Sequence, residues 1–143
     1  MKVKVLVAYW AHNLDGTNQY LDALSYTNTL CNSSKYNKCR GKVEIKYFKV
    51  PGFNQTGPKL VNGSKVDNIY PSYTRVLHAK YCVSDARVHI GTSNLVWDYF
   101  YTTSGVSFGA YDEALVSQLQ GVFDSDWASP YAFPWQSAES SII

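Results

Sequence analysis

No stretch of this chain is both apolar and long enough to cross a bilayer as a helix, which takes about 20 residues. Internal repeats and low-complexity tracts are missing too, which excludes stacked-repeat architectures and compositionally biased linkers. Charge is sparse. Only 17% of residues are charged, 13 basic against 11 acidic, for a net charge of +2 and a pI near 8.4. That balance is too mild to advertise a broad nucleic-acid surface built from clustered lysine and arginine, so recognition of phosphate is expected to be local. The first ten residues carry Lys2 and Lys4 and a short apolar run with no small-residue cleavage pattern behind it, so no signal peptide is expected. Cysteine is rare and odd in number. Cys31 and Cys39 bracket a polar loop, where a disulfide and two free thiols fit the sequence equally well. Cys82 sits in an apolar segment and is expected to be a buried thiol that packs as a small hydrophobe.

What is present fits one folded domain, because 143 residues with 45% hydrophobic content can bury a sizeable core. Val3 to Tyr9 is a β-branched apolar run that suits a central parallel strand buried on both faces. Tyr20, Leu21, Leu24 and Leu30 recur at helical spacing over 17–30, and Val43, Ile45, Tyr47 and Phe48 form a second strand that ends at Pro51-Gly52. Strand, helix, strand is a βαβ unit. Residues 51–74, rich in proline and glycine, read as a long loop. Arg75 to Val83 and Arg87 to Ile90 read as a hairpin turning at Ser84-Asp85-Ala86. A strand over 104–108 and a helix over 112–127 follow, and Tyr131, Phe133 and Trp135 dock a tail onto the body. The expected fold class is α/β, a mixed sheet with helices on both faces, with a domain over 1–131 and a tail over 132–143.

The chemistry lies in His78-Ala79-Lys80-Tyr81-Cys82-Val83-Ser84-Asp85, followed by Gly91-Thr92-Ser93-Asn94. This pattern, H-x-K-x4-D and then G-[ST]-x-N, arises by chance in on the order of one chain in 10⁵ of this length. Two residues apart on an extended segment, His78 and Lys80 leave one face and can converge on one anion. A fixed ammonium, the Thr92 hydroxyl and the Asn94 amide suit the oxygens of a phosphodiester attacked at phosphorus. An imidazole can act as nucleophile or as proton donor near neutral pH, so neither a metal nor a cofactor is required. Asp85 falls on the turn and is assigned to holding the motif in shape. His12, after the first strand, lies at the carboxyl end where α/β sheets place ligands, and is a candidate for the substrate channel. His89 receives no role.

On these words the chain resembles the phospholipase D superfamily, and within it the animal lysosomal branch of single-strand 5′ exonucleases and their poxvirus relatives. Further matching words are Val5 to His12, Tyr73 to Tyr81, Tyr99 to Ser107 and Asp126 to Tyr131, so that the resemblance covers about the first 131 residues. It resembles the C-terminal half of proteins that have two such lobes. The resemblance implies a phosphohistidine intermediate, a second His-Lys lobe as partner, from the upstream half of a longer chain or from a homodimer, and single-stranded DNA or RNA as substrate. It also implies glycosylation, for which Asn32, Asn54 and Asn62 offer sequons in apparent surface loops, and a lysosomal or endoplasmic-reticulum lumen location behind an upstream membrane anchor. A phospholipid phosphodiesterase or transphosphatidylase is the alternative enzyme, and a catalytically inactive half-domain the alternative of another class. One departure stands out. Single-motif bacterial members place a carboxylate near the position of Gly105, and Asp98 is the nearest substitute here.

Overall fold

Alternating valines stiffen the chain into strand β1, Lys2–Ala8, which runs parallel to β2, Lys42–Phe48, in a register from Lys2 opposite Lys42 to Ala8 opposite Phe48. Between them lies helix α1, Leu14–Asn32. The computed structural model describes residues 1–9, 14–33, 40–53, 59–62, 64–66 and 74–136. It divides into two compact units, Met1–Leu77 with Ser129–Ile143, and His78–Ala128. The architecture is mixed α/β.

In the first unit the sheet order is β1, β2 and then β8, Ala132–Pro134, which pairs antiparallel with β2 through Lys46, Tyr47 and Phe48. This corrects the expectation for β1. Among the described residues it is an edge strand, exposed or half-buried throughout, because the returning tail takes the far edge of β2 and makes β2 the strand bonded on both sides. The core follows β2: Ile45 and Tyr47 are buried against Leu21 of α1, with Val5, Val7, Leu24 and Trp135 packed around them. Two asparagines tie the helix down. The Asn28 amide donates to the Val43 carbonyl (2.9 Å) and accepts from the Val43 N–H (2.8 Å), while Asn18 Oδ1 accepts from the Tyr47 hydroxyl (2.8 Å) and from Trp135 Nε1 (3.1 Å). Burial, and then neighbouring Tyr9, raise the Tyr47 phenol above its ordinary pKa and keep it a donor. Replacing Asn28 by alanine strands both backbone groups of Val43 in a half-buried place, so stability should fall by about 1–3 kcal/mol, read as a lower urea midpoint at unchanged m-value. An unchanged midpoint would show that water replaces the amide.

The expected long loop contains a short hairpin, β3, Lys59–Val61, and β4, Ser64–Val66, with Asn62 at φ 51° in its turn, a conformation asparagine tolerates better than most residues. Asn62 is exposed there. Asn32 is also exposed but ends α1 rather than lying in a loop, and Asn54 is outside the described residues. Cys31 is buried and disulfide-bonded, while Cys39 is outside the described residues.

The second unit is an antiparallel sheet of β5, Tyr81–Val83, β6, Val88–Gly91, and β7, Ser107–Ala110, in that order. Helix α3, Glu113–Ala128, is capped by Asp112, whose Oδ1 accepts from the Leu115 N–H at 2.8 Å. It packs on β5 and β6 over Val88, which is fully buried. A short helix α2, Trp97–Tyr101, stands between β6 and β7 with Trp97, Phe100 and Tyr101 exposed. Cys82 is exposed and free, against expectation. Its neighbours Tyr81 and Val83 turn to the helix, and strand alternation turns Cys82 the other way.

Candidate active site

The register sorts the second unit's side chains onto two faces. Tyr81, Ile90 and Phe108 share one row, and Val83, Val88 and Ala110 the next. This is the helix face: burial, and then Asp126 and Asp124 of α3, raise the Tyr81 phenol above its ordinary pKa. On the opposite face Cys82, His89 and Gly109 form a row. The Gly91 N–H donates to the Lys80 carbonyl (2.8 Å), which extends the ladder by a row of Lys80, Gly91 and Ser107.

His78 and Lys80 precede β5, rather than lying within a strand that begins at Arg75. The Lys80 carbonyl joins the ladder through the Gly91 N–H. The Lys80 ammonium donates to the His78 carbonyl at 2.9 Å, so the two motif residues are coupled through backbone as well as by spacing. Lys80 is half-buried, and desolvation lowers its pKa from the ordinary lysine value. A partly desolvated ammonium with one bond to a neutral carbonyl has donors left for an anion. His78 is exposed beside it.

Asp85 is exposed at the hairpin tip, where the Ser84 N–H donates to the Arg87 carbonyl (2.8 Å) and Ser84 Oγ accepts from the Arg87 N–H (3.1 Å). Five residues of extended chain, about 17 Å, separate it from Lys80. The Thr92 hydroxyl donates to the Val106 carbonyl (3.3 Å) and accepts from the Val106 N–H (3.1 Å), so its single proton is committed to holding β6 and β7 together. Asn94 is half-buried and makes no hydrogen bond among the described residues, which leaves its amide available. His12 is outside the described residues.

Gly105 explains the missing carboxylate. A Cβ there would meet Ser93 Oγ at 2.6 Å and Thr92 Oγ1 at 2.7 Å, closer than real contacts allow, and Thr92 Oγ1 is already fixed by Val106. Asp98 lies in the first turn of α2, exposed, with its carbonyl accepting from Thr102. The residues that sequence reasoning passed over are Arg87 and His89, which share the open face with Lys80. Strand parity, counted back from the paired strands, was the signal.

A mixed α/β lobe that carries a His-x-Lys pair ahead of a sheet strand, with a Gly-Thr-Ser-Asn segment leaving the end of the neighbouring strand, defines a phospholipase-D-type lobe, and this chain belongs to the phospholipase D superfamily. It is 34% identical over 134 residues to phospholipase D Z of Dictyostelium discoideum, a match covering 94% of this chain and 26% of that protein. A probable phospholipase D of Caenorhabditis elegans is 34% identical over 134 residues, covering 92% of this chain and 21% of its own length. The human 5′-3′ exonuclease PLD3 is 28% identical over 145 residues, covering 99% of this chain and 26% of that protein. The chain thus spans about a quarter of the length of the curated relatives it matches. No family model matches it. Among the described residues no helix is long and apolar enough to cross a membrane.

Proposed function

We propose that this chain supplies one half-site of a phosphodiesterase that cleaves single-stranded DNA or RNA from a 5′ end, in a lysosomal or endoplasmic-reticulum lumen. The observation that carries the reading is the His78-x-Lys80 pair at the head of β5, an exposed imidazole beside a half-buried, partly desolvated ammonium. In this reading an imidazole nitrogen attacks phosphorus, the P–O ester bond breaks, and the departing oxygen takes a proton from a second imidazole. Water then attacks the phosphohistidine, gives its proton to that second imidazole and releases the phosphate. His78 is one of the two. Lys80 and Asn94 hold the phosphoryl oxygens as charge shifts onto them, while the hairpin at Asp85 is held by Ser84 and Arg87 rather than by the Asp85 carboxylate. The second histidine comes from another lobe, a partner consistent with the exposed Trp97, Phe100 and Tyr101 of α2, an apolar surface of the kind that interfaces cover.

A second reading has its own support: relatives at 34% identity carry the name phospholipase D, against 28% for the exonuclease, which favours a phospholipid diester. A substrate panel separates the two. The full-length protein is given 3′-labelled single-stranded DNA, phosphatidylcholine vesicles and a nitrophenyl phosphodiester. Stepwise shortening of the DNA from its 5′ end is the expected result. Vesicle hydrolysis without DNA shortening would establish the lipid reading, and silence on all three the inactive half-domain.

A further inference from the structure

We propose that the open face of the β5–β6–β7 sheet is a phosphate track that runs from Lys80 through His89 to Arg87 and takes the phosphates next to the one being cleaved. It rests on the proposed function only in treating Lys80 as a phosphate ligand.

The track follows from register. Below the row of Lys80, Gly91 and Ser107 comes the row of Cys82, His89 and Gly109, and below that Ser84 faces Arg87 across the hairpin, where the Ser84 N–H bonds the Arg87 carbonyl. All three rows point away from α3. Two glycines let the basic groups lie along the sheet. His89 Nε2 sits 3.7 Å from where a Cβ on Gly91 would be, so the ring leans toward the Lys80 row. Arg87 Nη2 sits 2.9 Å from where a Cβ on Gly109 would be, so any side chain there would push the guanidinium off. The same guanidinium lies over the Tyr111 ring, 5.2 Å from its centroid, a cation–π contact that does not use its hydrogen-bond donors. Neither Arg87 nor His89 holds an ion pair among the described residues, and both are exposed. Arg87, His89 and Cys82 also line one shallow depression on this face.

Successive rows on one face of a sheet are about 6.7 Å apart. A ligand that uses all three rows must carry phosphates in series. A single-stranded nucleic acid does so, whereas a phospholipid diester brings one phosphate and leaves Arg87 idle. The free thiol of Cys82 lies in the middle of the track and reports its occupancy.

The test is equilibrium binding of a fluorescein-labelled twelve-nucleotide oligothymidylate to the full-length protein carrying His78→Ala, which removes turnover. Adding Arg87→Gln and His89→Gln should raise Kd about 10-fold, and the arginine change should flatten the dependence of log K on log salt by about 0.7. Saturating oligonucleotide should shield Cys82 from N-ethylmaleimide, with mass spectrometry as the readout, while free phosphate at the same phosphate concentration should not. In the His78 protein, hydrolysis of a nitrophenyl monophosphodiester should be unchanged by the two glutamines, since that substrate has nothing to place on the track. An unchanged Kd overturns the track, as does Cys82 labelling that ignores the oligonucleotide. Equal loss on the oligonucleotide and the small diester also overturns it, because the residues would then serve the fold or the reaction itself. A failure of the half-site reading appears elsewhere, as nitrophenyl diester hydrolysis that survives His78→Ala.

Discussion

Phosphodiesterase activity of the assembled protein should fall by about 10³-fold or more when His78 or Lys80 is replaced by alanine, with thermal unfolding nearly unchanged. The first half follows from role: one residue is nucleophile or proton donor, and the other is the charge that meets the phosphoryl oxygens. The second half follows from placement. His78 is exposed, and Lys80 is half-buried with its ammonium bonded to the backbone carbonyl of His78 among the described residues, so neither change opens a cavity. Lys80 should even be slightly better removed. Its folded-state pKa is lowered by desolvation, so the folded chain disfavours the ammonium below that pKa, and the penalty disappears as pH rises through the ordinary lysine value of about 10.4. Stability from this group therefore rises with pH across that window, and Lys80→Met should flatten the rise. The same lowering moves the loss of Lys80 charge to a pH below the ordinary lysine range, so the alkaline limb of kcat/KM should appear below about pH 10.4. A profile flat through that pH, or a doubly substituted protein keeping more than a few per cent of its turnover, contradicts the assignment.

The chain by itself should be silent on phosphodiesters, and turnover should return when a second His-Lys lobe is supplied. Displacement at phosphorus needs an attacking group on one side and a proton donor on the other, and the motif provides one histidine for both. The apolar side chains that remain uncovered agree with this: Leu95 is 77% exposed, Phe100 67% and Trp97 63%, a cluster whose burial would favour association. Two partners satisfy the chemistry, the preceding half of a longer chain or a second copy across a two-fold axis, in which each copy presents the same patch. Sedimentation combined with a 5′-exonuclease assay separates them. Activity in a dimer that is lost on dilution points to the second copy, and activity only on co-expression with the preceding half points to the longer chain. Robust turnover by a sedimenting monomer refutes the requirement for a second lobe.

The local elements were legible in the residues. Periodic leucines gave α1, alternating β-branched residues gave β1 and β2, and the apolar stripe over 112–127 gave α3, because amphipathic and alternating spacing are properties of consecutive residues. The candidate site was legible for the same reason, as its residue types stand at short, fixed spacings between 78 and 94. Which strand is central was not. The place of β2 between β1 and β8 depends on a tail segment some ninety residues away in sequence. Nor could local pattern decide that Cys82 faces outward, that the Thr92 hydroxyl is spent on Val106, or that Arg87 and His89 line up with Lys80 over two glycines. Each of these depends on which strand pairs with which and in what register, and a one-residue slip would turn every side chain to the other face. Residue order determined the chemistry available to this chain, and tertiary pairing decided which of those groups share a surface.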